Sequence, residues 1–266
     1  MLFISDTFRN YQGWIYVSLL LIAGAIIAPA CTQRKQASNT VQLQVPGVKY
    51  TSHEGETGLR KSITLPDGTI IILNSATLLQ VPENYNKGSR TVILDGDALF
   101  HVKAGADSFI VVNDKLIATT LDTGIFRMRS FSSQQGATTY QLTGKIRIGK
   151  SYHSPTDNQP EILERGQMLL ANKEIDLIEK ETYHPEELET WISDTLTIKN
   201  ANPMAISRIL EDWYGIEVEM RGDASKARTI SEAAFFNASL NDVLSNLSGQ
   251  QDFKYKISRN KAVITF

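Results

Sequence analysis

Apolar and polar residues alternate with a period of two through the middle of the chain and take up a helical period only toward its end. From Lys49 to about Lys180, short β-rich runs are separated by turn signals. "SITLPDGTIIILN" places two such runs around Pro66-Asp67-Gly68, where proline fixes φ and glycine accepts a positive φ. "RTVILDGDALFHVK", "SFIVVNDKLIATTL", "IFRMRSF", "TTYQLTGKIRIG" and "QMLLANKEIDLI" repeat the scheme. Asp95-Gly96, Asn113-Asp114, Thr143-Gly144 and Asn172-Lys173 supply the turns. This spacing predicts a mainly β fold over residues 49–180, a β-roll, sandwich or solenoid-like domain with no helix of useful length.

The pattern changes near Tyr183. "HPEELETWISD" predicts a short acidic helix or linker carrying Trp191, and "DTLTIKN" a strand. Asn202 can cap a helix opened by Pro203, where a missing N–H costs nothing. Ile206, Ile209, Leu210 and Trp213 then fall on one stripe, and Gly215 ends the helix. "IEVEM" and "TISEAAFF" predict strands. Ser239, with Asp242 three residues on, predicts a capping box opening a second helix whose stripe is Leu240, Val243, Leu244 and Leu247. "FKYKIS", a turn at Arg259-Asn260 and "KAVITF" close the chain. Residues 181–266 therefore predict a small α+β domain of two successive strand–helix–strand units. Trp213 is expected in its core, with Tyr214 on a neighbouring face and partly exposed. "IEVEM" or "KAVITF" is expected to offer a strand edge to a partner.

Ahead of these regions lie a short segment, 1–13, and the most apolar stretch of the chain, "WIYVSLLLIAGAIIAPA", from Trp14 to Ala30. Its length is at the lower limit for crossing roughly 30 Å of hydrocarbon as a helix. Residues 14–31 are read first as a membrane anchor helix, next as a lipoprotein signal cut before Cys31, and last as a cleaved secretory signal. Ala30 suits the lipoprotein cut, although such signals prefer a larger aliphatic residue where Ala28 stands. Each reading exports the remainder of the chain. Arg9 precedes the run and Arg34 and Lys35 come after it, so basic charge alone would not place the large domain outside. The signal-like start favours a single-pass inner-membrane protein with its large domain in the periplasm, or a lipoprotein anchored through Cys31. Polar residues 32–48 form a linker.

Composition narrows the chemistry. A net charge of −2 over 266 residues, with a sequence pI near 6.1, argues against nucleic acid as a partner. Cys31 is the single cysteine, which excludes intrachain disulfides and thiolate metal sites. His53, His101, His153 and His184 are far apart, with no pair at metal-ligand spacing. Asp122-Thr123-Gly124 is the triplet by which aspartic proteases present a carboxylate. That mechanism needs two such groups sharing a proton. No second triplet exists, so Asp122 is read as part of a turn, with the protease a remote alternative. No catalytic, cofactor-binding or metal residue is expected, no cofactor is implied and the chain is not read as an enzyme; Cys31 stands alone as a lipidation candidate.

"SITLPDGTIIILNSATLLQVPENYNKGSRTVILDGDALFHV" resembles the signature of FecR-family signal transducers. The matching positions are Leu65-Pro66-Asp67-Gly68, Leu73-Asn74 and Arg90 through Val102, with "SFIVV" at 108–112 and "FRMRSF" at 126–131 after them. Asp122-Thr123-Gly124 then occupies the family's Leu-Gly-Thr turn, with Asp for Gly and one extra residue. The tail, with Trp191, Asp194 to Met220, Phe235 to Leu247, Tyr255 to Ser258 and Ala262 to Phe266, is similar to the C-terminal module of Bacteroidetes-type members, akin to the short domain of secretins and TonB-dependent transducers. The resemblance implies contact with the N-terminal signalling domain of a TonB-dependent outer-membrane transporter and relay to an extracytoplasmic-function sigma factor. Only residues 1–13 precede the apolar run, too few for a helical sigma-binding domain, so either the sequence begins short of that domain or direct anti-sigma function is lost. The rival expectation is an envelope lipoprotein acting as a binding or scaffold module without regulatory output.

Overall fold

A computed structural model describes residues 39–259 and 261–266. The expected anchor over 14–31, the preceding segment and Cys31 lie outside the described residues. Among the described residues no helix is long and apolar enough to cross a membrane. A 3-10 turn over Asn39–Leu43 leads into strands β1 (Tyr50–Glu54), β2 (Lys61–Thr64), β3 (Ile70–Leu73), β4 (Leu78–Pro82) and β5 (Arg90–Val102). Next come β6 (Phe109–Val112), β7 (Leu116–Thr120), β8 (Gly124–Ser130) and β9 (Gly136–Thr143). β10 (Ile146–Lys150), β11 (Glu161–Leu163), β12 (Gln167–Asn172) and β13 (Leu177–Thr182) complete the run.

β5 organises this region. Its first half pairs antiparallel with β4 and parallel with β6, while its second half pairs antiparallel with β3 and β8. The strand therefore belongs to two layers, β1-β4-β5-β6-β7-β10-β11 and β2-β3-β5-β8-β9-β12-β13. Crossing from one layer to the other requires a bend, which Gly96 supplies at φ +143°, a backbone region closed to most side chains. A Cβ there would lie 2.6 Å from Thr77 Cα. The turn expected at Asp95-Gly96 is thus a bend inside one strand. Thr77 Oγ1 fixes it by accepting from the Asp97 amide and donating to the Asp97 carbonyl, each at 3.0 Å.

The mainly β expectation is met as a sheet folded on itself around one core. Leu79, Val92, Leu94 and Phe109 face Ile71, Leu73, Phe126 and Leu169 across it. Phe100 stacks on Phe126 with ring centroids 4.9 Å apart. Burying each such ring contributes about 2–3 kcal/mol.

The Pro66-Asp67-Gly68 turn joins β2 to β3 and carries a buried ion pair. Arg90 donates to the Asp67 carboxylate from Nε at 2.8 Å and from Nη2 at 2.5 Å. Tyr85 Oη donates to Asp67 at 2.7 Å, as does the Thr69 amide at 2.9 Å. Two further guanidinium hydrogens reach the carbonyls of Lys103 and Asp107. Burial alone would raise the Asp67 carboxyl; hydrogen bonds from Thr69, Tyr85 and Arg90 outweigh it and hold the group below the usual carboxylate range.

The second region contains α1 (Pro185–Ile192), β14 (Thr195–Ala201), α2 (Pro203–Tyr214), β15 (Glu217–Arg221) and β16 (Ile230–Phe236). α3 (Leu240–Gln251), β17 (Lys254–Ser258) and β18 (Lys261–Thr265) close it. Asn202 Oδ1 accepts from the Ala205 amide at 2.9 Å, and Gly215 ends α2 in the left-handed region at φ +65°. Ser239 and Asp242 form the reciprocal capping box of α3. β14 pairs with β16, while β18 runs parallel to β15 and antiparallel to β17. "KAVITF" is consequently the middle strand and offers no edge, because the closing hairpin inserts it between β15 and β17. The "IEVEM" strand, β15, keeps a free edge. Residues 38–266 form one compact unit.

Asp67→Asn should destabilise this unit by about 3 kcal/mol, since Arg90 would be left dry without a counter-charge. Urea unfolding near neutral pH measures the loss. Asp67 has a depressed folded pKa, so its contribution is present above the unfolded value and disappears as pH falls through the folded one. The gap between wild type and variant should narrow on acidification.

Candidate functional site

Alternation along β5 sends Ala98, Phe100 and Val102 into the sandwich core and Asp97, Leu99 and His101 to the outer face of the second layer. Strand register then lays that face out in rungs. One rung reads Ser62, Ile72, Leu99, Arg127; the next reads Thr64, Ile70, His101, Ile125. Asn74 and Asp97 lie one step further, joined by a backbone hydrogen bond of 2.9 Å. The α+β module seats on these rungs. Leu99 and Leu142 of the sheet share a single apolar cluster with Leu188, Trp191, Leu210 and Trp213.

Arg127 is the polar centre of the junction. Its Nε and Nη2 donate to the two oxygens of Asp97 at 2.9 and 2.7 Å, a bidentate pair. On the other side, Nη1 stands 2.9 Å from the Asp212 carboxylate and Nη2 donates to the Asp212 carbonyl at 3.2 Å. That carbonyl belongs to the last turn of α2, where helix carbonyls lack intrahelical partners and the dipole favours cations. Asn74 Nδ2 at 3.3 Å and Trp191 Nε1 at 3.4 Å donate to it as well. Asp97 is fully buried and Arg127 nearly so, whereas the Asp212 side chain is 58% exposed.

These surroundings set the charges. Burial alone would push the Asp97 carboxyl up; the Arg127 charge and its hydrogen bonds outweigh burial and hold it below the usual range. Burial likewise disfavours the charged form of Arg127, but Asp97 and then Asp212 hold the guanidinium above its ordinary value. Arg60 has weaker compensation. Burial brings it down to about 10 against the opposing charge of Asp194. Its guanidinium lies 4.1 Å from the centre of the Trp191 ring and 4.4 Å from that of Trp213. It also donates to the carbonyls of Trp191 and Ser193. Arg127 approaches Trp191 too, at 4.4 Å.

Backbone contacts complete the seat. The Ser75 amide donates to the Tyr214 carbonyl and the Leu240 amide to the Gly58 carbonyl. A Cβ on Gly215 would come within 2.9 Å of Asn74 Cγ. Trp213 is buried, as its spacing predicts. Tyr214 departs from expectation: it is buried, its hydroxyl donating to the Ala238 carbonyl at 2.8 Å. The face that a free helix would expose is covered here by the neighbouring loops.

Of the four histidines, His101 alone belongs to the junction rungs; His153 and His184 are exposed, and His53 sits on β1. Asp122 is exposed in the bend before β8, and its Oδ1 accepts from the Thr123 amide at 2.7 Å. A Cβ on Gly124 would meet the Thr143 carbonyl oxygen at 2.3 Å, so close strand approach explains the glycine. The triplet is a turn. Among the described residues no His, Cys, Asp and Glu cluster could hold a metal ion. Sequence reasoning passed over Arg60, Asp97, Arg127 and Asp212. The available signal was the charge in "LDGDALFHV" and "IFRMRSF", acidic and basic residues set inside otherwise apolar strands.

Residues 195–264 match the family model described as FecR, C-terminal. Two crystal structures of candidate anti-sigma factors from Parabacteroides distasonis share the fold. One has a TM-score of 0.53 at 22% identity, covering 82% of this chain and 99% of its own. The other has a TM-score of 0.52 at 21% identity, covering 80% of this chain and 98% of its own. No curated protein sequence matches significantly. The family match thus covers residues 195–264, and the two crystal structures show likeness of fold.

Arg127→Met should destabilise the compact unit by about 3–5 kcal/mol, because Asp97 would remain as an uncompensated buried charge. Asp212→Asn touches the exposed partner and should change stability by less than about 1 kcal/mol. Equal effects of the two substitutions in urea unfolding would show that the buried half of the network does not carry the junction.

Proposed function

We propose that this protein is a signal-transduction protein of the anti-sigma regulator type, acting through contacts between folded modules rather than through catalysis. The match of residues 195–264 to the FecR C-terminal domain carries this reading. The likeness of the fold to candidate anti-sigma factors supports it. In the finer form of the proposal, the chain is exported and held at the inner membrane by residues 14–31, or by a lipid on Cys31, with residues 38–266 in the periplasm. There it receives a signal from the N-terminal domain of a TonB-dependent outer-membrane transporter and passes it toward an extracytoplasmic-function sigma factor. The free edge of β15 is the strand to which a partner's strand could add.

The regulator reading and the transporter relay are tested separately. Deleting the gene should change transcription from promoters of the cognate sigma factor, and an unchanged profile would overturn the regulator reading. The full chain should co-purify with the cognate transporter's N-terminal domain; failure there would remove the relay but leave the regulator reading standing. Palmitate labelling that disappears in Cys31→Ala would identify the lipid anchor over the membrane helix.

A further inference from the structure

The α+β module covers the outer face of the second layer incompletely. On the rung beyond Arg127, the side chains of Ile70, His101 and Ile125 are only half-buried. With Ser62, Ile72 and Leu99 they floor a groove of about 380 Å³ between the sheet and the module. That volume lies within the range of small-ligand sites, roughly 300–1,000 Å³. Apart from Ser62 and His101 the floor is aliphatic, and strand pairing fixes the backbone on which its branched side chains stand. The opposite wall includes Arg60, Ile192, Asp194, Trp213 and Asn237.

Arg60 gives the groove its polarity. Two carbonyls and two indole rings hold its guanidinium in place, yet its Nε is buried with no hydrogen-bond partner. A buried donor without an acceptor is unfavourable, and Arg60 lines the groove, so a small shift of its side chain would let an acceptor in the groove satisfy it. The charge points the same way. Asp194 and Asp97 act on Arg60 only through space; Asp194 is exposed, so water screens its attraction, and Asp97 is already paired with Arg127. The guanidinium therefore lacks a close counter-charge, unlike Arg127 beside it.

We propose that this groove binds a small amphipathic carboxylate, with its aliphatic chain along Ile70, Ile72, Leu99 and Ile125 and its carboxylate against Arg60. The proposal stands apart from the transporter relay and from the sigma-factor output. Such a ligand touches the sheet and the α+β module at once, so its binding energy adds to the docked arrangement by mass action.

Decanoate is the probe. Residues 38–266, which form a compact unit with its own cores, contain only Trp191 and Trp213 of the three tryptophans, so indole emission reports on the two rings that flank Arg60. Decanoate should change that emission saturably and raise the melting temperature. Decanol, with the same chain and no charge, should bind about tenfold more weakly or worse, as expected on losing a charge-assisted hydrogen bond. Asp194→Asn should tighten decanoate binding, since it removes the like charge from the wall. Ser62→Phe, at an exposed floor position, should block binding while leaving the melting temperature of the free protein unchanged. Absence of a saturable response, equal binding of decanol, or weaker decanoate binding in Asp194→Asn would each overturn the proposal.

Discussion

Arg127 sits nearly dry between two modules, and much of the arrangement around it comes from satisfying that one guanidinium. A charge removed from water needs both an opposite charge and a partner for each hydrogen. Asp97 answers the first need from the adjacent strand, and the Asp212 carbonyl answers part of the second from the end of α2. The benefit runs in the other direction as well. The last turn of a helix leaves carbonyls without intrahelical donors. Here the donors come from Arg127, Asn74 and Trp191, the first two of which belong to the β region. Each module completes hydrogen bonding that the other leaves open, which fixes how they meet more sharply than apolar contact could.

β5 is the element that makes this possible, and it explains the placement of both buried acid–guanidinium pairs. Arg90 begins the strand and locks the Pro66-Asp67-Gly68 turn; Asp97 lies just past the bend and holds Arg127. A strand with one wet face would show a simple alternation of burial. β5 is buried on both faces beyond Gly96, with core on one side and the α+β module on the other. Charged side chains survive there because each is paired. Asp67, Gly68 and Arg90, among the positions by which the sequence resembles FecR-family transducers, therefore build the scaffold.

The features legible in the sequence are those that depend on near neighbours. The caps of α2 and α3, the stripe burying Trp213 and the Pro66-Asp67-Gly68 turn were all readable, since each rests on residues within a turn or two of one another. The concealed features depend on distant parts of the chain. β18 looks like any alternating strand, and only its pairing on both sides removes it as an edge. Tyr214 is covered by loops far from it in sequence, and Arg60 meets Trp191 across 131 positions. The junction was hidden for the same reason. Local pattern shows that Arg127 interrupts an apolar strand but cannot show that Asp212 stands opposite.

In the proposed relay, the connectivity also suggests how contact at one point could be felt at another. β15 begins two residues after Gly215, which packs against Asn74, and Asn74 hydrogen-bonds both Asp97 and the Asp212 carbonyl. A strand adding to the free edge of β15 would thus act close to the polar cluster at the junction. It could shift the balance between docked and undocked modules only by the difference in its affinity for the two. A partner that binds both equally well would transmit nothing, however tightly it held. The shared apolar cluster sets how far that difference must reach, because separating the modules would expose Leu99 and Leu142 to water and leave the Arg127–Asp97 pair without its third member. In the proposed relay, tight docking would make this junction unresponsive to weak or indiscriminate contacts and selective for a partner that prefers one arrangement strongly.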